Sequence, residues 1–207
     1  MNLKLNALLA ATVLSSVFAS ANALTVLTGN NPQPNQSNVI RDGCGLPDAT
    51  GVGTTIAGCL NDNHSQLVAF SSDESLQYDA GGQARVEGTT GAYSRLTIKA
   101  ENTDIQSLIL NINASADGFV AFSDGVTNSS VFALDGNGQN FFTILGPFST
   151  LLLATFSDSS GTTELDLIDD TRQVRLSLAN AVPEPESYAL MLAGLGLLGA
   201  VARRRKA

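Results

Sequence analysis

The sequence predicts an all-β fold, a β-sandwich or jelly roll, with one apolar helix before it and another after it. Three observations predict this. Short segments alternate apolar and polar residues with a period of two, as 95–99, 108–112, 164–167 and 174–178 do, which is the pattern of a strand with one face buried. Glycine and aspartate turn formers recur about every 8 to 12 residues between them, the spacing of sandwich strands. No helical period is long enough to build a βαβ unit. With 43% hydrophobic and only 14% charged residues in 207, the chain has the apolar content for one packed core and the length for little more than one domain.

In chain order, Met1-Asn2-Leu3-Lys4 opens on a single cation, and an apolar run over 5–18 leads to Ala19-Ser20-Ala21-Asn22-Ala23. A cation, an apolar stretch too short to span a bilayer comfortably and the small pair Ala21 and Ala23 are the parts of a secretory signal peptide, with cleavage by signal peptidase expected after Ala23. A buried N-terminal helix would not explain the small-residue site, nor the abrupt change to the Asn-, Gln- and Pro-rich stretch at 30–38. Residues 1–23 are therefore a signal peptide, and the exported domain runs over 24–181.

Export places Cys44 and Cys59 in an oxidising compartment, where a disulfide is the expected outcome. It would close a loop of about 15 residues that contains Gly45, Pro47, Gly51 and Gly53, a constraint worth about 3 kcal/mol on chain-entropy arguments. A catalytic thiolate would need a base nearby, and His64 is the single imidazole of the chain.

Beyond the disulfide, further strands are expected at 66–70, 84–87, 118–122, 130–134, 141–145 and 151–156. Turn formers stand between them: Asp73-Glu74, Ala80-Gly81-Gly82, Asp117-Gly118, Asp124-Gly125, Asp135-Gly136-Asn137-Gly138 and Ser159-Ser160-Gly161.

Candidate chemistry in this domain is sparse. Asp135-Gly136-Asn137-Gly138-Gln139-Asn140 resembles a calcium loop in its recurrent oxygen side chains, but an EF-hand needs Gly at position six and Glu at position twelve, where Asn140 and Gly146 stand; a hairpin turn is the preferred reading. A sandwich-edge calcium site at 158–164 or at Asp169-Asp170 is the weaker alternative to solvated surface carboxylates. One histidine rules out zinc sites with two or more imidazoles, and no Gly-x-Ser-x-Gly elbow supplies a nucleophile for a His64 triad. A glycosidase needs two facing carboxylates and sugar-stacking aromatics; the domain has no Trp, its tyrosines are Tyr78 and Tyr93, and most Phe sit in apolar runs. No catalytic residue, metal or cofactor is assigned. Asn-x-Ser triplets at Asn35, Asn63, Asn113 and Asn128 carry no site assignment.

Residues 24–181 hold Arg41, Arg85, Arg95, Lys99, Arg172 and Arg175 against 17 carboxylates, a formal charge of −11. So acidic a surface repels nucleic acid and anionic headgroups, and it tolerates neutral polysaccharide.

The last 26 residues carry the most specific pattern. Val182-Pro183-Glu184-Pro185-Glu186-Ser187 precedes fifteen uncharged residues, 188–202, and then come Arg203, Arg204, Arg205 and Lys206. As a helix the apolar run is about 22 Å long, shorter than the roughly 30 Å hydrocarbon layer. Four cations orient its end toward the cytoplasm, and the prolines keep the preceding strip extended for a protease cleft. This ending resembles the PEP-CTERM sorting signal of Gram-negative bacteria, with its Val-Pro-Glu-Pro element, short apolar helix and terminal Arg cluster in order. An ordinary tail anchor is the alternative. The resemblance implies that 182–207 is a sorting signal with a short transmembrane helix, seated transiently in the inner membrane. It also implies that exosortase processes the chain as a substrate, and that the product joins a cell surface rich in exopolysaccharide. The expected function is a non-enzymatic surface, matrix or biofilm component; the alternative is a carbohydrate-binding module, calcium-assisted or not, in the same place.

Overall fold

The computed structural model describes residues 24–44, 51–79 and 83–179. Every regular element among them is a strand: β1 (Thr25–Thr28), β2 (Ser37–Ile40), β3 (Gly53–Leu60), β4 (Asn63–Tyr78), β5 (Val86–Gly88), β6 (Arg95–Ala100), β7 (Ile105–Ala114), β8 (Gly118–Ser123), β9 (Phe132–Leu134), β10 (Asn140–Phe148), β11 (Thr150–Phe156) and β12 (Ile168–Leu178). Among the described residues no helix is long and apolar enough to cross a membrane. The helices expected within 1–23 and 182–207 lie outside the described residues, as do Ala21, Ala23, Val182, Pro183, Glu184, Pro185, Arg203, Arg204, Arg205 and Lys206.

Hydrogen bonding joins the strands in one path, β1-β10-β7-β12-β2-β3-β4-β6-β11-β8-β9, and β5 stands off it by pairing with both β12 and β4. That double pairing closes β12, β2, β3, β4 and β5 into a five-stranded ring. The path does not separate into two sheets. Its long members explain this: β4 and β12 have 16 and 11 residues, and register shifts interrupt both. Bulges bend a strand and increase its twist, so one strand can run through a corner. The wings beyond the ring then face each other. Phe142 of β10 packs on Phe122 of β8 and Phe132 of β9 with ring centroids 5.0 and 5.7 Å apart, although β10 and β8 stand near opposite ends of the path.

Alternation drives the curl. On β7 the side chains of Leu108, Leu110, Ile112 and Ala114 enter the core. Across the register, Ile144 and Phe142 of β10 and Leu176 of β12 share that face. The same face carries Val39, Phe70, Ile98, Leu153 and Val120 through the remaining strands, and each is fully buried. A sheet apolar along one whole face buries it only by closing on itself, and each such aliphatic or aromatic side chain contributes about 1.5–3 kcal/mol. The edge strands β1 and β9 are four and three residues long, which limits edge-to-edge pairing.

Gly58 permits a close approach in the ring. A Cβ there would lie 2.6 Å from the Ile40 carbonyl oxygen, 2.9 Å from Val39 Cγ1 and 3.2 Å from the Tyr78 hydroxyl. No side chain fits.

Three expectations are corrected. Asp73-Glu74 is not a turn between strands but part of a wide bulge in β4: residues 72–75 stand between Ser71 and Leu76, while Thr54 alone stands opposite. Ser72 holds the bulge by donating to the Arg95 carbonyl, 2.8 Å, and accepting from the Glu74 amide, 3.2 Å. Asp135-Gly136-Asn137-Gly138 is a turn without a hairpin, since β9 pairs with β8 and β10 with β7 and β1; it links the two wings. The segment 164–167 is not a strand. Glu164 makes one isolated bridge to Phe156, Leu165 stays 46% exposed, and only Leu167 enters the interior, so two leucines in alternation do not share a buried face.

Candidate functional site

The face of β10-β7-β12-β2 turned away from the main core carries mixed polar and apolar side chains, of which Ile109, Asn111 and Thr143 are themselves fully buried. Register places Phe141, Asn111 and Arg172 in one row across three strands, and Thr143, Ile109, Arg175 and Asn38 in the next row across four. The rows align because β12 carries one extra residue between Arg172 and Arg175, opposite Asn111 and Ile109. Gln173 occupies that bulge at φ 53°, a left-handed conformation that costs a non-glycine residue about 1 kcal/mol or more. The bulge keeps Val174 in the core and leaves both arginines outside.

At one end of this face Asp170 is fully buried. Its Oδ2 accepts from Arg85 Nη2 at 2.9 Å and from Asn113 Nδ2 at 3.1 Å, and Arg172 Nε lies 3.3 Å from Oδ1. Arg85 also grips Asp79 through Nη1. Burial works against the Arg85 charge, but Asp170, Asp79 and Glu87 outweigh it and raise its pKa. Behind the face, Tyr93 donates to the Val86 carbonyl, 3.3 Å, and shares a 3.1 Å hydrogen bond with Thr171. Burial pushes the phenols of Tyr93 and Tyr78 above their ordinary range and keeps them neutral. Both tyrosines pack with the core, so neither offers a platform to a sugar ring.

At the other end a groove of about 320 Å³ is lined by Asn30, Asn38, Gln83, Phe141, Gln173 and Arg175. Four of the six are amides, one is a cation and one an aromatic; among the described residues no carboxylate lines it. Arg175 Nη2 donates to Asn30 Oδ1 at 2.8 Å, and Gln83 Nε2 to Asn38 Oδ1 at 3.4 Å. The strap that brings Asn30 here is tied down by Thr143, whose hydroxyl accepts from the Asn31 amide at 3.0 Å and donates to the Gly29 carbonyl at 2.9 Å. Beside the groove Asn111 is fully buried, and neither its Oδ1 nor its Nδ2 has a hydrogen-bond partner.

Of the residues singled out in the sequence, Cys44 and Cys59 are joined in a disulfide with Cα atoms 5.5 Å apart. Cys59 is fully buried. His64 is exposed at the start of β4, beside the Gly43 turn. The calcium candidates resolve into turns and pairs. Asp135 Oδ1 accepts from the Asn137 amide at 2.8 Å. Asp158 accepts from the backbone and hydroxyl groups of Ser160, Thr162 and Thr163, and the bonds from Ser160 and Thr163 hold its carboxyl well below the usual carboxylate range. Glu164 takes both nitrogens of a fork from Arg95. Asp169 is exposed while its neighbour Asp170 is buried, so the pair does not converge. Among the described residues no group of three or more His, Cys, Asp or Glu side chains is arranged to hold a metal.

Sequence reasoning missed the groove. Its residues lie at 30, 38, 83, 141, 173 and 175, and only register brings them together. None of its amides falls within an alternating segment, so no local pattern pointed to it.

Fold and site together define an all-β domain with an amide-rich groove. A family model of the PEP-CTERM protein-sorting motif matches residues 181–206, and the chain carries that motif at its C-terminal end. The motif marks an exported, membrane-processed protein and implies processing by exosortase. No curated protein and no solved structure matches the chain.

Proposed function

We propose that this chain is a non-enzymatic exported protein that exosortase sorts to the cell surface or exopolysaccharide matrix, where the all-β domain serves as a structural or biofilm component. The observation that carries the proposal is the sorting motif at 181–206, placed directly after a domain with twelve strands among its described residues, whose edge strands are short. Signal peptidase releases the N-terminal segment at Ala23, and the apolar helix of the tail holds the precursor in the inner membrane until cleavage. Mass spectrometry of the C-terminal peptide, from cells with and without exosortase, tests this. The expected outcome is loss of the Arg203-to-Lys206 end only when exosortase is present; an extracellular product with that end intact overturns it.

The amide-rich groove favours a second reading, a carbohydrate-binding module in the same matrix. Amide side chains supply a donor and an acceptor each, which suits vicinal hydroxyls, and the acidic domain as a whole disfavours polyanions.

A further inference from the structure

We propose that the groove between β2, β10 and the β12 bulge is a subsite for one neutral hexopyranose ring of a polysaccharide; this rests on the carbohydrate-binding reading and gives it a place. Three independent features converge there. The first is unengaged hydrogen-bonding capacity. The contacts within the groove use Asn30 Oδ1, Asn38 Oδ1, Gln83 Nε2 and Arg175 Nη2. Asn30 Nδ2, Asn38 Nδ2, Gln83 Oε1 and the whole Gln173 amide are left facing one space of about 320 Å³, the lower end of the size range for ligand sites. Sugar hydroxyls both donate and accept, so they match mixed amides better than a carboxylate or phosphate does.

The second feature is backbone strain. Gln173 is held at φ 53° where glycine would sit without penalty, and the result is an amide delivered into the groove. Strain of this kind persists where the surrounding fold enforces it, and it concentrates at ligand sites. The third is Asn111, whose fully buried amide lacks any partner. Its register neighbours on this face are Phe141 and Arg172, so it adjoins the groove wall at Phe141 without itself lining the groove. Half-buried Phe141 supplies an apolar edge for the C–H face of the ring.

Charge selects a neutral sugar. Among the described residues no carboxylate lines the groove, and Arg175 keeps its charge there while donating to Asn30; the selection against an acidic ring comes from the −11 of the domain around it. Long-range repulsion therefore works against a polyanion.

The test is binding of the full-length chain, purified in detergent, to neutral gluco-, manno- and galacto-oligosaccharides and to oligogalacturonate, read by saturation-transfer NMR and titration. Saturable binding to at least one neutral series, unchanged in high salt, is expected. Gln173→Gly keeps the backbone conformation and removes the amide; Asn38→Ala trims an exposed side chain. Each should weaken binding by roughly tenfold, the effect of one lost hydrogen bond, with an unfolding midpoint no lower than that of the unaltered chain as the check on folding; Gln173→Gly should raise it by relieving the strain at φ 53°. Binding that survives both substitutions overturns the groove assignment and leaves the carbohydrate reading standing. Absence of binding by the unaltered chain to every series ends both. Binding confined to oligogalacturonate and abolished by salt overturns the neutral-ligand assignment.

Discussion

Arg85 Nη2 lies 2.9 Å from Oδ2 of Asp170, a carboxylate with no exposure to solvent, while the arginine itself stays 40% exposed. The pair joins β12 to the segment leading into β5, the strand that closes the ring, so it acts where the sheet would otherwise open. Asn113 and Arg172 also approach Asp170. Arg85→Met is therefore expected to destabilise the protein by about 2 kcal/mol, because it leaves a buried carboxylate with part of its shell, and Asp170→Ala to destabilise it as well, because Arg172 loses its partner and Arg85 keeps only Asp79. Urea unfolding monitored by circular dichroism measures both; no loss in either variant would show that the ring closes without the pair.

Asn111→Leu should raise stability. The amide is buried without a partner, and exchanging it for an apolar side chain of similar size removes an uncompensated desolvation cost of about 1–3 kcal/mol. A raised midpoint in urea unfolding is the expected result, and an unchanged or lowered one would show that the amide is satisfied in the folded protein.

Reduction of the Cys44–Cys59 disulfide, or the Cys44→Ala/Cys59→Ala double variant, should cost about 3 kcal/mol, the value for a closed loop of this length, which spans 15 residues. Differential scanning calorimetry with and without reductant measures it. Part of the loss comes from the native state, since Cys59 is fully buried where β3 meets β2 and β4.

Gly58→Ala should destabilise by about 3 kcal/mol or more, as overpacking at rigid sites does. The added carbon meets the Ile40 carbonyl at 2.6 Å, and a backbone atom in a paired strand cannot move aside as a flexible side chain would. The melting temperature reports it.

Acid should destabilise the protein through carboxylates whose folded pKa is depressed. These are Asp124, held by the Thr127 amide and its neighbours, Asp158, held by Ser160 and Thr163, and Glu164, held by Arg95. A group of this kind binds fewer protons folded than unfolded. Its contribution is fully present above the unfolded pKa of about 4 and is lost as pH falls below that toward the folded value. Melting temperatures recorded from neutral pH downward should stay level and then fall below about pH 4, and Asp124→Asn should flatten that fall. An identical acid limb in the variant would remove Asp124 from the account.

Exchange of Arg203, Arg204, Arg205 and Lys206 for Ser should slow processing and leave a longer precursor, because the orientation cue is lost. Gel mobility of pulse-labelled protein reads the rate.

Local chemistry made much of this molecule legible before any coordinates. Alternating residues at 95–99, 108–112 and 174–178 announced β6, β7 and β12, because a strand with one wet face repeats every two residues whatever it pairs with. The disulfide followed from compartment and spacing. The C-terminal pattern was readable because a membrane enzyme recognises it as a linear string. By contrast β1, β2 and β3 went unannounced: two are four residues long, and Thr54, Thr55, Gly58 and the Asn- and Pro-rich approach to Ser37 read as loop. The strand character of β1 and β2 comes from partners far away, Leu145 for Thr25 and Arg175 for Asn38, whereas β3 pairs with the adjacent β4. The ring and the groove are likewise products of register. One inserted residue at Gln173 decides whether Arg172 and Arg175 share a face, and alternation within β12 alone would have set them on opposite sides. Chain-local patterns thus determined the class of fold, the staple and the sorted ending, while long-range hydrogen bonding decided which amides meet, because pairing energies depend on both strands at once.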